Sequence, residues 1–108
     1  MTVSELAALT GFRVLAMPNG TQEITDVYIG DLLSWVMGRA KEGDAWITIM
    51  SNKNIVAVAT LSECASVILA EGVEPDEGVA ELAEQKGINL LSTEMSAYRA
   101  ALEISRHL

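Results

Sequence analysis

The sequence is poor in the residues that most catalytic sites require. Cys64 is the only cysteine of the 108 residues, so no internal disulfide can form, nothing indicates an oxidising compartment, and we expect a cytoplasmic protein. His107 is the only histidine and stands next to the last residue, which leaves no Ser-His or Cys-His pair for nucleophilic catalysis and no structural zinc site. Neither a G-x-G-x-x-G nor a P-loop pattern occurs. These absences predict a protein that is not an enzyme and that needs no cofactor or metal ion.

Basic residues are scarce as well. Seven Lys and Arg stand against 15 Asp and Glu, which gives a formal net charge of −8. Because such a surface repels nucleic-acid phosphates and anionic lipid headgroups, we expect neither a nucleic acid nor a membrane as a partner. No apolar run approaches the roughly 20 residues of a membrane-spanning helix, and the amino terminus has no basic and apolar leader.

Many of the acidic residues crowd one short segment, residues 71–84. Their spacing does not match an EF-hand loop, so we interpret the segment as a solvated acidic face rather than a metal site. Its members are Glu71, Glu74, Asp76, Glu77, Glu81 and Glu84.

Hydrophobic residues make up 50% of the sequence, which is enough for the core of one domain spanning residues 1–108. Thr2 and Glu5 have the capping-box spacing, which predicts a short first helix, and Gly11 is placed to end it. Strands are predicted over residues 12–17 and 24–29, on either side of a Pro-Asn-Gly turn.

The segment after Gly30 has the apolar spacing of a helix, with leucines at 32 and 33 followed by Val36 and Met37. Asp31 is placed to cap that helix at its amino end. Trp35 in this helix and Trp46 in the next strand both fall on apolar faces, so we expect both indoles in the core.

Residues 45–50 form the clearest strand, but the stretch after it is ambiguous. The β-branched residues of 55–60 favour a second strand and a hairpin around residues 52–54. A helix capped by Ser51 or Asn52 is the alternative, and we prefer it because residues 65–70 read as another buried strand. Two parallel strands need a crossover of about a dozen residues, which is the length available between them.

The remaining chain continues the same alternation. A helix is predicted to begin at Glu74-Pro75 and to end at Gly87, with strand 88–92 and helix 96–108 after it. The carboxyl-terminal half therefore reads β-α-β-α-β-α. This pattern predicts an α/β fold, a small three-layer sandwich with a mostly parallel sheet.

In open parallel sheets, ligands bind beyond the carboxyl ends of the strands. Lys53 and the amides that start the helix after Ser51 are suited to an anion such as a phosphate group. The alternative interpretation is that these loops hold only caps and turns. The candidate ligand-binding residues are Gly30, Asp31, Ser51, Asn52, Lys53, Asn54, Gly72 and Thr93.

Three stretches of the sequence carry a resemblance to the DRTGG domain. They are residues 28–34, residues 46–70 and residues 80–93 with Tyr98, and Thr2 to Leu6 is similar to the start of stand-alone members. The family is a regulatory α/β module found beside the catalytic domain of some phosphotransacetylases and HPr kinases, and inside CBS-domain pyrophosphatases. In place of the Asp-Arg of the family this chain has Asn52-Lys53, and in place of Thr-Gly-Gly it has residues 70–72, Ala-Glu-Gly.

The resemblance implies a non-catalytic and homodimeric regulatory module. Members attached to pyrophosphatases bind adenine dinucleotides at a dimer interface, so it also implies an adenine nucleotide or another small phosphorylated molecule as the ligand. The share of apolar residues in so short a chain likewise favours a dimer. The alternative function is a protein-interaction adaptor without a small-molecule ligand, in which the acidic segment 71–84 contacts a protein partner.

Overall fold

Five strands form one sheet in the computed structural model, which describes all 108 residues. The strands are β1 (Phe12–Ala16), β2 (Asp26–Ile29), β3 (Asp44–Thr48), β4 (Ser66–Leu69) and β5 (Leu90–Thr93), in the spatial order β1-β5-β4-β3-β2. Strands β2 to β5 pair in parallel, and β1 pairs with β5 antiparallel. The predicted mostly parallel sheet is confirmed.

Five helices complete the fold: α1 (Val3–Ala7), α2 (Leu33–Arg39), α3 (Asn54–Ser62), α4 (Val79–Lys86) and α5 (Ala97–Ser105). Helix α3 confirms the helical reading of residues 52–60 and excludes the hairpin. Helices α2, α3 and α4 cover one face of the sheet, and α1 and α5 cover the other. The predicted three-layer α/β sandwich is thereby confirmed. None of the five helices has the length and apolar character needed to cross a bilayer.

The sheet separates two apolar cores, which explains the near-continuous hydrophobic character of its central strands. Trp46, Val67 and Leu90 point into the core under α2, α3 and α4. Ile47, Ile68 and Leu91 point into the core under α1 and α5. The buried Trp46 indole N–H donates to the Gly30 carbonyl over 2.8 Å, so its one polar group is satisfied.

The first helix begins as its local sequence predicts. The Thr2 hydroxyl accepts a hydrogen bond from the Glu5 backbone N–H, and the Glu5 carboxylate accepts one from the Thr2 N–H over 2.7 Å. The Thr2 backbone N–H, and after it the Thr2 side chain, favour the charged carboxylate and lower the pKa of Glu5. The prediction that Gly11 ends this helix is wrong, because α1 ends at Ala7 with Ala8 as its cap. Gly11 lies in the turn before β1 with a φ of 99°, a conformation that side chains disfavour.

The prediction that a helix begins at Glu74-Pro75 is wrong. Helix α4 begins at Val79, after Gly78 with a φ of 86°. The preceding loop is held instead by Asp76, whose N–H donates to the Ser51 carbonyl over 3.0 Å and whose carboxylate accepts from the Ser51 hydroxyl over 2.9 Å. This contact with the loop between β3 and α3 outweighs the local preference of proline and acids for a first turn.

The prediction that Trp35 lies in the core is also wrong. Its side chain is 56% exposed, and the Arg39 guanidinium lies 4.1 Å from the ring centroid. Helix α2 packs beside β2, the edge strand, and Val36 is its only buried residue. Because α2 has a neighbour on one side only, most of its apolar positions stay at the surface.

Asn89 joins three segments at the amino edge of the sheet, where its side chain is almost fully buried. Its amide nitrogen donates to the carbonyls of Asn19 and Ala65, each over 2.9 Å. Its carbonyl oxygen accepts from the Asn19 N–H over 3.0 Å. One side chain thus satisfies three backbone groups of the β1–β2 loop and the start of β4.

We expect Asn89→Ala to lower the free energy of unfolding by about 3 kcal/mol, because it leaves buried backbone groups without partners. Urea unfolding followed by circular dichroism measures the change. Asn19→Ala is the matched control, since it removes only an exposed side-chain bond to Gln22 and should cost less than about 0.5 kcal/mol. Equal losses in the two variants would contradict this role of Asn89.

Candidate functional site

The carboxyl ends of β2 to β5 meet at one edge of the sheet, which we call the rim. Its loops are residues 30–32, 49–53, 70–78 and 94–96, one after each parallel strand. Because β1 runs antiparallel, its first residues, Phe12 and Arg13, also lie at the rim, opposite Thr93 and Ser92 of β5. Parallel pairing therefore places every predicted ligand-binding residue at or near this edge.

Asp31 holds the rim together and does not cap α2. Its carboxylate oxygen accepts from the Thr48 hydroxyl over 2.8 Å and from the Ile49 N–H over 2.9 Å. Helix α2 begins after Leu32 without a side-chain cap, so the predicted capping role of Asp31 is wrong. The Ile49 N–H lies just beyond the last β3 residue paired with β2, and Asp31 supplies the acceptor that the strand no longer offers.

The Gly30 backbone, like Asp31, connects the end of β2 to β3. Its N–H donates to the Ile47 carbonyl over 3.2 Å, and its carbonyl accepts from the Trp46 indole. A side chain at position 30 would collide with the Tyr28 ring. Glycine at position 30 thus leaves room for the Tyr28 ring at the end of β2.

The loop that starts α3 leaves donors unused. The Asn52 side-chain oxygen accepts from the Asn54 N–H over 2.9 Å, closing a turn at the start of the helix. The N–H groups of Ser51, Asn52 and Lys53 donate to no acceptor within the protein. The Lys53 side chain is exposed, and its ammonium forms no ion pair. Free backbone donors and an unpaired cation thus lie side by side.

Gly72 and Thr93 line a separate cleft of about 260 Å³ at the β1–β5 side of the rim, together with Gly11, Phe12, Arg13, Val73, Glu74, Ser92 and Glu94. Glu71 and Gly72 both have left-handed backbones, with φ of 61° and 71°. The Glu94 carboxylate occupies the space that a side chain at position 72 would need. Thr93 uses its hydroxyl oxygen to accept from the Met95 N–H over 3.2 Å.

Arg13 is the cation of this cleft, and sequence reasoning missed it. Its guanidinium donates to the Glu74 carboxylate over 2.9 Å and to the Ser92 hydroxyl over 3.2 Å. Residue 13 reaches the rim only because β1 joins the sheet beside β5, which no local pattern indicates. With its charge already paired and Glu94 near by, the cleft is a poor place for a phosphate.

The eight candidate residues therefore do not converge on one cavity. Lys53 and Asn54 lie at one end of a groove between α3 and α4. Gly72 and Thr93 lie in the cleft with Arg13. Gly30 and Asp31 lie at the far end of the rim, after the edge strand β2, and Ser51 and Asn52 lie in the loop before Lys53. These four residues contribute chiefly hydrogen bonds within the rim.

Other chemistry-bearing residues have no site. No group of three or more His, Cys, Asp and Glu residues is placed to hold a metal ion. Cys64 is 4% exposed, and burial raises the pKa of its thiol to about 12, with a smaller contribution from Asp44. At neutral pH this thiol is protonated and shielded from solvent.

The amino-acid sequence matches the model of a known protein family. The sequence pattern of the DRTGG domain matches residues 5–107. No curated protein sequence matches the chain.

One solved structure with the same fold contains the CBS and DRTGG domains of the regulatory region of Clostridium perfringens pyrophosphatase, complexed with its activator diadenosine tetraphosphate. The TM-score is 0.74 at 16% sequence identity, over 98% of this chain and 45% of that chain. The present chain thus spans less than half the length of that structure.

We expect Asp31→Ala to destabilise the protein by about 1–3 kcal/mol, because the Thr48 hydroxyl and Ile49 N–H lose their acceptor. Asp31→Asn is the control, since an amide oxygen can accept both bonds, and it should stay within about 0.5 kcal/mol of the parent. Chemical denaturation of the three proteins gives the comparison. Equal free energies of unfolding for Asp31→Ala and Asp31→Asn would show that the hydrogen bonds from Thr48 and Ile49 to Asp31 do not stabilise the protein.

Proposed function

The chain belongs to the DRTGG domain family, and from this premise we propose that residues 1–108 form one regulatory, non-catalytic domain. The domain acts as a homodimer and senses a small phosphorylated ligand, an adenine nucleotide in the first instance, at the carboxyl ends of its strands. The regulatory region of the C. perfringens pyrophosphatase, which shares the fold, is complexed with a nucleotide activator, and this supports the choice of ligand.

The start of α3 is the observation that carries the proposal. Three consecutive N–H groups, from Ser51 to Lys53, have no acceptor within the protein, and the Lys53 ammonium has no carboxylate partner. A helix amino terminus adds the partial positive charge of its aligned peptide dipoles. Backbone donors, dipole and lysine together are the elements that proteins use to hold a phosphate.

The rest of the rim restricts where a phosphate can bind. Arg13 is held by Glu74, and the Glu94 carboxylate lies against Gly72, so the cleft on that side presents more negative than positive charge. The Asp76 carboxylate accepts from the Ser51 hydroxyl, so it lies at the Ser51 end of the donor loop and leaves Lys53 as the cation of the site. An anionic ligand is thereby directed toward Lys53 and away from Gly72.

Titration of ¹⁵N-labelled protein with ATP up to millimolar concentration tests the proposal. We expect amide shifts at residues 51–54, and Lys53→Ala should weaken binding about tenfold through loss of a charge-assisted contact. Arg99→Ala is the control, because Arg99 is an unpaired exposed cation on α5, in the opposite layer. If no amide shifts with ATP or other adenine nucleotides, sensing of these ligands is excluded and the adaptor alternative is favoured.

An apolar patch at the end of β2 supports the homodimer. Its members are exposed by about half or more: Ile29 (48%), Leu32 (62%), Trp35 (56%) and Ile49 (49%). The Asp31 carboxylate, bonded to the Ile49 N–H, brings Leu32 and Ile49 to the same corner of the rim. Strand β2 has no neighbour on its outer side, so this edge of the sheet offers apolar side chains that a protein contact would cover.

Sedimentation analysis at about 50 µM, well above the dissociation constants of standard interfaces, should show a dimer. Leu32→Asp should convert it to a monomer, because a carboxylate is then buried without a partner in the contact. Leu61→Asp is the matched control, since Leu61 is 68% exposed but lies on α3, outside the patch. A parent protein that sediments as a monomer would exclude the dimer.

A further inference from the structure

A second cavity lies on the outer surface of the helix layer, between α3 and α4. Its volume is about 510 Å³, within the range of about 300–1,000 Å³ typical of binding pockets. The lining residues are Lys53, Asn54, Val56, Ala57, Thr60, Leu61, Leu82 and Lys86. Four of these residues are aliphatic, and none has an aromatic ring.

The charge of this groove is opposite to that of the whole chain. Lys53 and Lys86 are its only charged residues, although acids outnumber bases by 15 to 7 overall. All ion pairs of the structure involve Arg13, Lys41, Arg106 or the amino terminus, so both groove lysines are unpaired. Glu81 and Glu84 lie on the side of α4 that faces away from the groove, beside Leu15 of β1.

The two lysines stand at opposite ends of the groove. Helices α3 and α4 each lead from the carboxyl end of one parallel strand to the start of the next, so both begin at the rim and run the same way. Lys53 precedes the first residue of α3, and Lys86 is the last residue of α4. From Lys53 to Leu61 the helix rises about 12 Å, or a little over two turns.

We propose that this groove docks an amphipathic helix of a partner protein that carries acidic residues at both ends of an apolar stripe. The apolar stripe covers Ala57, Leu61 and Leu82, and the carboxylates reach Lys53 and Lys86. This is the helix-in-groove mode of recognition, with charge complementarity fixing the register.

Other occupants fit the groove less well. A nucleotide finds no aromatic ring for its base, and its phosphates cannot reach two lysines at opposite ends. In a second copy of this chain, the exposed Leu61 of α3 lies in the groove with the lysines. The exposed apolar residues of α2 and α5 lie beside arginines, Trp35 next to Arg39 and Leu102 next to Arg99 and Arg106. Those arginines repel the groove lysines.

A fluorescein-labelled synthetic helix with leucines at i, i+4 and i+7 and glutamates at i−3 and i+11 is the probe. Fluorescence anisotropy at physiological ionic strength should show that it binds, whereas the same peptide with lysines in place of the glutamates should not. Lys53→Glu and Lys86→Glu should each weaken binding of the acidic peptide about two- to fivefold. The double variant should instead bind the basic peptide, and Arg99→Glu should change neither affinity.

Amide shifts locate the peptide and separate it from other occupants. Shifts confined to residues 53–61 and 82–86 support the proposal, and Leu61→Asp should remove them. Equal binding of both peptides, or shifts outside these segments, would overturn it. Because a phosphate and a peptide carboxylate would share Lys53, saturating ATP should weaken peptide binding about two- to fivefold, as Lys53→Glu does. The proposal would fail if ATP abolished peptide binding, or if the same amides shifted on concentrating the protein alone, since the groove would then hold a nucleotide or a second copy. ATP shifts at residues 51–54 with only this partial weakening leave both proposals standing.

Discussion

Parallel pairing of β2, β3, β4 and β5 is the constraint from which the remaining architecture follows. Each parallel neighbour requires a crossover, and consecutive strands here step across the sheet in one direction. Right-handed crossovers that step in one direction all fall on the same face, so α2, α3 and α4 form one layer. The other face needs its own cover, which the chain supplies with its two ends, α1 and α5. All strand carboxyl ends then meet at the rim.

Where the parallel strands end, backbone N–H groups no longer have acceptors in the sheet. Polar side chains of the rim accept these hydrogen bonds instead. Asp31 accepts from two donors at the end of β3, Asn52 closes the start of α3, and Thr93 accepts from the chain that leads to α5. Residues whose types suggest ligand contacts are thus engaged in holding loops together. The rim groups that have no partner within the protein are the N–H groups of residues 51–53 and the ammonium of Lys53, all at the start of α3.

Where an interaction lies within a few residues, the sequence predicted it. The Thr2 and Glu5 capping box needs only a spacing of three, and the helical state of 54–62 follows from the chain length needed between two buried strands. Most wrong predictions concern residues whose partner is distant. The Asp31 carboxylate accepts from the Thr48 hydroxyl, 17 residues away. The segment that begins at Glu74-Pro75 is held in a loop because Asp76 accepts from the Ser51 hydroxyl. Arg13, Trp35 and Lys86 likewise acquire their surroundings only from strand order and helix packing.

The distribution of charge, more than its total, determines what such a surface can recognise. At physiological ionic strength the field of a charge fades over about 8 Å, so the net charge repels an approaching anion little until the anion is near the surface. Within that distance the local residues dominate, and near Lys53 and Lys86 these are unpaired cations above aliphatic side chains. On the side of α4 that faces away from the groove, the local residues are Glu81 and Glu84, which repel the same anion. An acidic domain can therefore bind acidic partners selectively, because repulsion elsewhere on its surface discourages every other orientation of approach.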